Sequence, residues 1–156
     1  MGEMIEGTDG KAGWASMMGQ IQDQPGALEN TRQGWERSLF RLFGHPEEVQ
    51  LQALADPQTV DGTSYRVAFV KSEAVQEWTL AFGPDGRLAR MEYRATGQAG
   101  PVKATVTLSD WRAEGAVQMP HGTAVLMDGK PLLDSKLTAA RFNLTLPDSL
   151  FSKPNP

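Results

Sequence analysis

Trp78-Thr79-Leu80-Ala81-Phe82-Gly83-Pro84-Asp85-Gly86-Arg87-Leu88-Ala89-Arg90-Met91-Glu92-Tyr93 is the stretch from which the rest of the chain can be read. Trp78, Leu80 and Phe82 fall on one side of an extended backbone, opposite Thr79 and Ala81, and Ala89, Met91 and Tyr93 oppose Arg90, Glu92 and Arg94. A period of two is the mark of a strand with one buried face. Between the two runs stands Asp85-Gly86, a hairpin pair: Gly accepts φ > 0 without steric cost, and Asp tolerates the left-handed region while its carboxylate bonds nearby backbone. The same pair recurs at Asp9-Gly10, Asp61-Gly62 and Asp128-Gly129, and three of the four lie between alternating runs. They read as corners of an antiparallel meander.

The pattern extends in both directions. Val49, Leu51 and Ala53 alternate with Gln50, Gln52 and Leu54; Tyr65, Val67 and Phe69 alternate with Arg66 and Ala68. Val102, Ala104, Val106 and Leu108 oppose Lys103, Thr105 and Thr107; Val125 and Met127 lead into Asp128-Gly129, and Leu133, Ser135 and Leu137 follow it. Further turn signals lie at Gly97 to Pro101 and at Glu114-Gly115. This spacing predicts about seven short antiparallel strands. Trp14 to Ile21 predicts one more strand.

One segment has a different period. From Pro25 to Phe43, Leu28, Trp35, Leu39 and Leu42 fall on one helical stripe, with Phe43 beside it. Pro25 suits the first turn, and Gly44 followed by Pro46 is a stop signal. Gly34 costs the helix up to ~1 kcal/mol relative to Ala. A sheet with one apolar face must cover that face, and a sheet of this many strands twists and curls. The expected fold is α+β, mainly β: a curved antiparallel sheet, a half-barrel meander, with one amphipathic helix packed in its concave face. The expectation is a single domain over residues 1–156, a fragment of a longer chain, with a frayed tail over 152–156.

Composition narrows the function classes. The chain has 156 residues, 40% of them hydrophobic, which suffices for one core. A net charge of −4 without any long Lys/Arg run gives no electrostatic support for nucleic acid or an anionic membrane as partner. There is no cysteine, hence no disulfide and no thiolate. Nothing approaches the roughly twenty apolar residues of a membrane span. The first ten residues lack the basic and apolar regions of a signal peptide.

Catalytic and metal motifs are sparse. His45-Pro46-Glu47-Glu48 has the residue types of a metal site, but Pro46 is incompatible with the helical i, i+4 pairing of zinc peptidases, so no metal is assigned. His121 follows Pro120 and reads as a strand-entry residue; no Gly-x-Ser-x-Gly elbow accompanies it. Pairs of carboxylates such as Asp110 with Glu114 can be drawn, and solvated loop charges explain them better. No glycine motif for phosphate or dinucleotides occurs, so no cofactor is expected. The apolar inventory is more specific. Trp14, Met17, Trp35, Leu39, Trp78, Phe82, Met91 and Tyr93 give a Met- and aromatic-rich set. They either fill the core between helix and sheet or line a partly open apolar cavity under the helix, as adaptable Met-rich surfaces do.

The C-terminal stretch reads Met119-Pro120-His121-Gly122, a strand to Met127, Asp128-Gly129-Lys130, a second strand, Phe142-Asn143-Leu144, and Pro147-Asp148-Ser149-Leu150-Phe151-Ser152-Lys153-Pro154. It resembles the end of domains similar to the periplasmic carriers that sort outer-membrane lipoproteins, which also occur attached to bacterial insulinase-type zinc peptidases. Gly7-Thr8-Asp9-Gly10-Lys11-Ala12-Gly13-Trp14, the helix after Pro25, Asp85-Gly86-Arg87-Leu88 and Ser109-Asp110-Trp111 are similar to that group as well. Two features depart from it. Complete carriers have a helix and strands before the equivalent of Gly7, and the peptidases carry a His-x-x-Glu-His motif that is not present in this sequence. The resemblance implies a periplasmic or cell-envelope, non-enzymatic module that holds an acyl chain or lipoprotein between helix and sheet. The alternative is an accessory domain whose packed core contacts a neighbouring domain of an envelope protein such as an insulinase-type peptidase.

Overall fold

Backbone conformation at the turns decides how the chain doubles back. In the computed structural model, which describes residues 4–73, 75–97 and 100–153, Asp61 and Gly62 have φ of 49° and 76°, and Asp128 and Gly129 have 47° and 77°. Two consecutive left-handed residues make a type I′ turn, whose twist matches that of the strands it joins. Asp85-Gly86 builds a three-residue loop instead: the Gly83 N–H donates to Arg87 O at 2.8 Å, the Gly86 N–H donates to Gly83 O at 2.9 Å, and only Gly86 is left-handed. At Asp9-Gly10 the Asp9 carboxylate accepts the N–H groups of Lys11 and Ala12, each at 2.8 Å. These two bonds, Ala12 first, hold its carboxyl below the ordinary value.

The strands so joined are β1 (Met4–Thr8), β2 (Gly13–Met17), β3 (Gln20–Asp23), β4 (Gln50–Ala53), β5 (Gln58–Val60), β6 (Thr63–Lys71), β7 (Gln76–Phe82), β8 (Leu88–Gly97), β9 (Gly100–Glu114), β10 (Val117–Met127) and β11 (Lys130–Lys136). The helices are α1 (Pro25–Glu36) and α2 (Leu39–Gly44). Every strand pairing is antiparallel. Contacts divide the chain into two compact units, one formed within Met1–Gly44 and Asn143–Pro156, the other by His45–Phe142.

The second unit is an open sheet with strand order β11-β10-β9-β8-β7-β6-β4, and β5 pairs with β6 off that path. The expected mainly β fold with an antiparallel, unclosed sheet is therefore what forms. Its register places one apolar row across all seven strands: Leu133 opposes Val125, Val125 opposes Val106, Val106 opposes Met91, Met91 opposes Leu80, Leu80 opposes Ala68, and Ala68 opposes Ala53. Burial peaks at the middle of the row, where Leu80 is 1% exposed, and Leu133 at one edge strand is exposed. The other face carries the row Thr105-Glu92-Thr79-Phe69. On β6 the alternation of Tyr65, Val67 and Phe69 thus runs on the face opposite Leu80, where Tyr65 and Val67 line a cavity of about 50 Å³ with Val60 and Arg90. Ala68 and Val70 supply the core face of that strand.

The first unit holds a three-stranded sheet, β1-β2-β3, on which α1 packs through β1 and β2. The segment Trp14 to Ile21, expected as one strand, is the β2–β3 hairpin, turned by Met18 and Gly19 at φ of 52° and 80°. Met is not a residue that favours the left-handed region, which is why no turn was expected there. The indole of Trp14 lies over Gly7, its directly opposed partner on β1, where a Cβ would collide with the ring. Gly13 is bare for a similar reason: a methyl there would strike Gln24 O and Ala27 Cβ, so strand and helix meet backbone to backbone.

The expected helix Pro25 to Phe43 is two helices. Ser38 breaks it: its N–H donates to Trp35 O at 3.0 Å, while its Oγ accepts the Arg41 N–H at 3.1 Å and so caps α2. Gly44 is the last residue of α2 and is not left-handed. Residues 154–156 of the expected frayed tail lie outside the described residues; Lys153 Nζ reaches Asp23 Oδ1 at 2.6 Å. Among the described residues no helix is long and apolar enough to cross a membrane.

Two glycine substitutions should have opposite signs. Gly86→Val puts a β-branched residue at φ of 77° and should cost on the order of 1–3 kcal/mol. Gly34→Ala, in α1 with nothing near the added Cβ, should stabilise by up to about 1 kcal/mol. Urea unfolding of both variants checks this; equal midpoints would contradict the assigned turn and helix.

Candidate apolar binding surface

Between Trp35 and Phe43 the chain carries five large apolar side chains, Trp35, Leu39, Phe40, Leu42 and Phe43. A short helix that is apolar on all sides ordinarily lies inside a protein. Here only Leu42 is buried, at 4% exposure; Leu39 is half-buried, and Trp35, Phe40 and Phe43 stand 47%, 48% and 54% exposed. The geometry of the break produces this. One straight helix would keep Leu28, Trp35, Leu39 and Leu42 on one stripe, but the interruption at Arg37 and Ser38 separates α2 from the stripe of α1. Ala27, seated against Gly13, is the buried residue of α1 instead. The corner is fixed by Arg41, whose Nη1 lies 3.0 Å from Glu36 Oε2 and 3.4 Å from Glu36 O, with both side chains largely buried.

A second open surface lies on the three-stranded sheet. Glu6, Ala15 and Gln22 are directly opposed across β1, β2 and β3, and with Met17 and Met18 they border a groove of about 430 Å³. Met17 and Met18 are both exposed there. Flexible thioether side chains around an open groove accept apolar groups of varied shape.

The eight side chains expected to line a cavity divide between the units. Trp14, Met17, Trp35 and Leu39 belong to the first; Trp78, Phe82, Met91 and Tyr93 belong to the second, on the core face of β7 and β8. Trp78 and Met91 are buried, and Phe82 and Tyr93 are half-buried. Met17 is the member that borders the groove on the three-stranded sheet.

The face of the large sheet opposite Leu80 carries a charged cluster. Glu92 is held by Arg90, with Nε at 3.0 Å, and by Lys103, with Nζ at 3.0 Å. Burial pushes its carboxyl up, but the hydrogen bonds from Arg90 and Lys103 outweigh that and hold it below the ordinary carboxylate value. His45, Glu47 and Glu48 bring three possible ligand atoms within 4.8 Å of one another on a single 3-10 turn, Pro46–Glu48, all exposed. The turn gathers the three by a spacing other than the helical i, i+4 pairing that Pro46 forbids. His121, read as a strand-entry residue, is instead inside β10 and buried. Its burial comes from neighbours distant in sequence, which no local pattern shows.

No protein-family model, no curated protein and no solved structure matches the chain.

Leu42 and Trp35 should respond unequally to truncation. Leu42→Ala should cost about 2–4 kcal/mol, as buried Leu does, whereas Trp35→Ala should cost about 1 kcal/mol. Chemical denaturation separates the two; a loss at Trp35 equal to that at Leu42 would mean that the aromatic corner is covered.

Proposed function

We propose that the chain is a non-enzymatic, carrier-like module that binds an acyl chain, free or on a lipoprotein, at the aromatic corner of α1 and α2. One observation carries this reading: of five large apolar side chains within nine residues, four remain partly or half in water. Single exposed apolar residues are ordinary, but a concentration of them marks a surface that something else covers. The corner is held by the Arg41–Glu36 pair and the Ser38 cap, so the side chains are presented with little ordering left to do on binding. An acyl chain suits them because it is flexible and satisfied by apolar contact alone. The groove on the three-stranded sheet, in the same unit, adds Met17 and Met18 beside Glu6, Gln20, Gln22 and Gln24, so its lining is mixed and the aromatic corner carries the apolar contact. The resemblance to lipoprotein-sorting carriers agrees with this ligand class and with a cell-envelope location.

Titration of the purified protein with a fluorescent fatty acid tests the proposal. Saturable binding is expected, weakened at least about tenfold in Phe40→Ser/Phe43→Ser, since each ring contributes on the order of 1–2 kcal/mol of burial. Both rings are about half-exposed, so the variant should keep its fold. Absence of saturable binding, or equal binding by a folded double variant, would overturn the reading and favour a neighbouring protein domain as the cover of this corner.

A further inference from the structure

His121 is the only buried histidine among the described residues, at 3% exposure in the middle of β10. Both ring nitrogens face acceptors. Nδ1 lies 2.8 Å from the Leu137 carbonyl oxygen, and the His121 carbonyl accepts the Leu137 N–H at 2.8 Å in return. Nε2 lies 2.8 Å from Oε1 of Glu114, the last residue of β9. That oxygen is out of line for a hydrogen bond from Nε2, which has no such partner among the described residues, so the attraction between them is one of charge for charge when the ring is protonated. A neutral ring keeps its bond to Leu137 through Nδ1–H and loses its hold on Glu114.

The surroundings are mixed in charge. On β9, Asp110 and Arg112 share the neighbourhood; Asp110 lies between the registered pairs Ser109–Gly122 and Trp111–Pro120, as His121 does on β10. Arg112 grips Asp110 with Nε at 2.9 Å and Nη2 at 2.6 Å, which holds the Asp110 carboxyl below the usual range. Asp110 is left-handed at φ of 52°, a distortion inside β9 that a non-glycine residue adopts at a cost. Lys136 ends β11 beside Leu137, and β10 itself carries no other charged residue. Asp110 is thus occupied by Arg112, and Glu114 is the carboxylate in contact with the ring.

We propose that His121 and Glu114 form a pH-sensitive latch that fastens the end of the β9–β10 hairpin. The latch needs the ring protonated and the carboxylate ionised. It therefore holds only while both charges are present and releases when either group is neutralised. Glu114, one-quarter exposed, can turn to water when released.

Comparison of the whole chain with its Glu114→Gln variant tests this. At about pH 6 the unmodified protein should melt about 2–4 °C higher than the variant, and at about pH 8.5 the two should coincide. Nitrogen NMR in a His45→Gln background leaves one ring to observe, since the chain has two histidines. Both nitrogens should be protonated at the lower pH, and one should lose its proton over the interval in which the melting curves converge. A constant difference in melting temperature across the range, or a ring that is neutral throughout, would overturn the proposal.

Discussion

Everything in the second unit depends on one row of cross-strand contacts. Leu133, Val125, Val106, Met91, Leu80, Ala68 and Ala53 meet pairwise from one edge of the sheet to the other. A slip of one residue in any pairing would move that strand's apolar set to the other face. The row is therefore the feature that fixes register, and Trp78, Leu88 and Leu108 add to the core around its centre. Its centre, Leu80 with Met91 and Val106, is buried; its ends are not. An open sheet has this gradient because no strand closes the ladder.

The first unit solves a smaller packing problem with less material. Three short strands cannot make a core alone, so β2 admits α1 at contact distance through the missing side chain of Gly13 and the methyl of Ala27. Trp14 fills the opposite need by lying over Gly7. The helix then breaks at Ser38 before its apolar stripe is used up, and the surplus is left at the α1–α2 corner. That surplus, rather than any titratable group, sets the unit apart.

The corners were legible in the sequence because Asp-Gly chemistry is local: carboxylate to backbone N–H at Asp9, left-handed pairs at Asp61-Gly62 and Asp128-Gly129. Met18-Gly19 makes the same turn without a residue type that announces it. The core faces of β7 to β9 were legible from alternation, but β6 was ambiguous, since Val67 and Ala68 are both buried on opposite faces. The exposure of Trp35 could not be read from spacing, because the stripe assumed a continuous helix; Ser38, with its capping hydroxyl, was the available signal. His121 was misread because its partners, Glu114 and Leu137, become neighbours only through strand pairing. Of the apolar site residues, sequence supplied the inventory, and only the fold divides it between two units.

Native-state hydrogen exchange tests the central claim, that a single apolar row organises the large sheet. If the row governs stability, amides of β7, β8 and β9 around Leu80, Met91 and Val106 exchange only with global unfolding, while those of β4 and β11 open at lower free energy. Exchange from β7 to β9 as easy as that from β11 would contradict it.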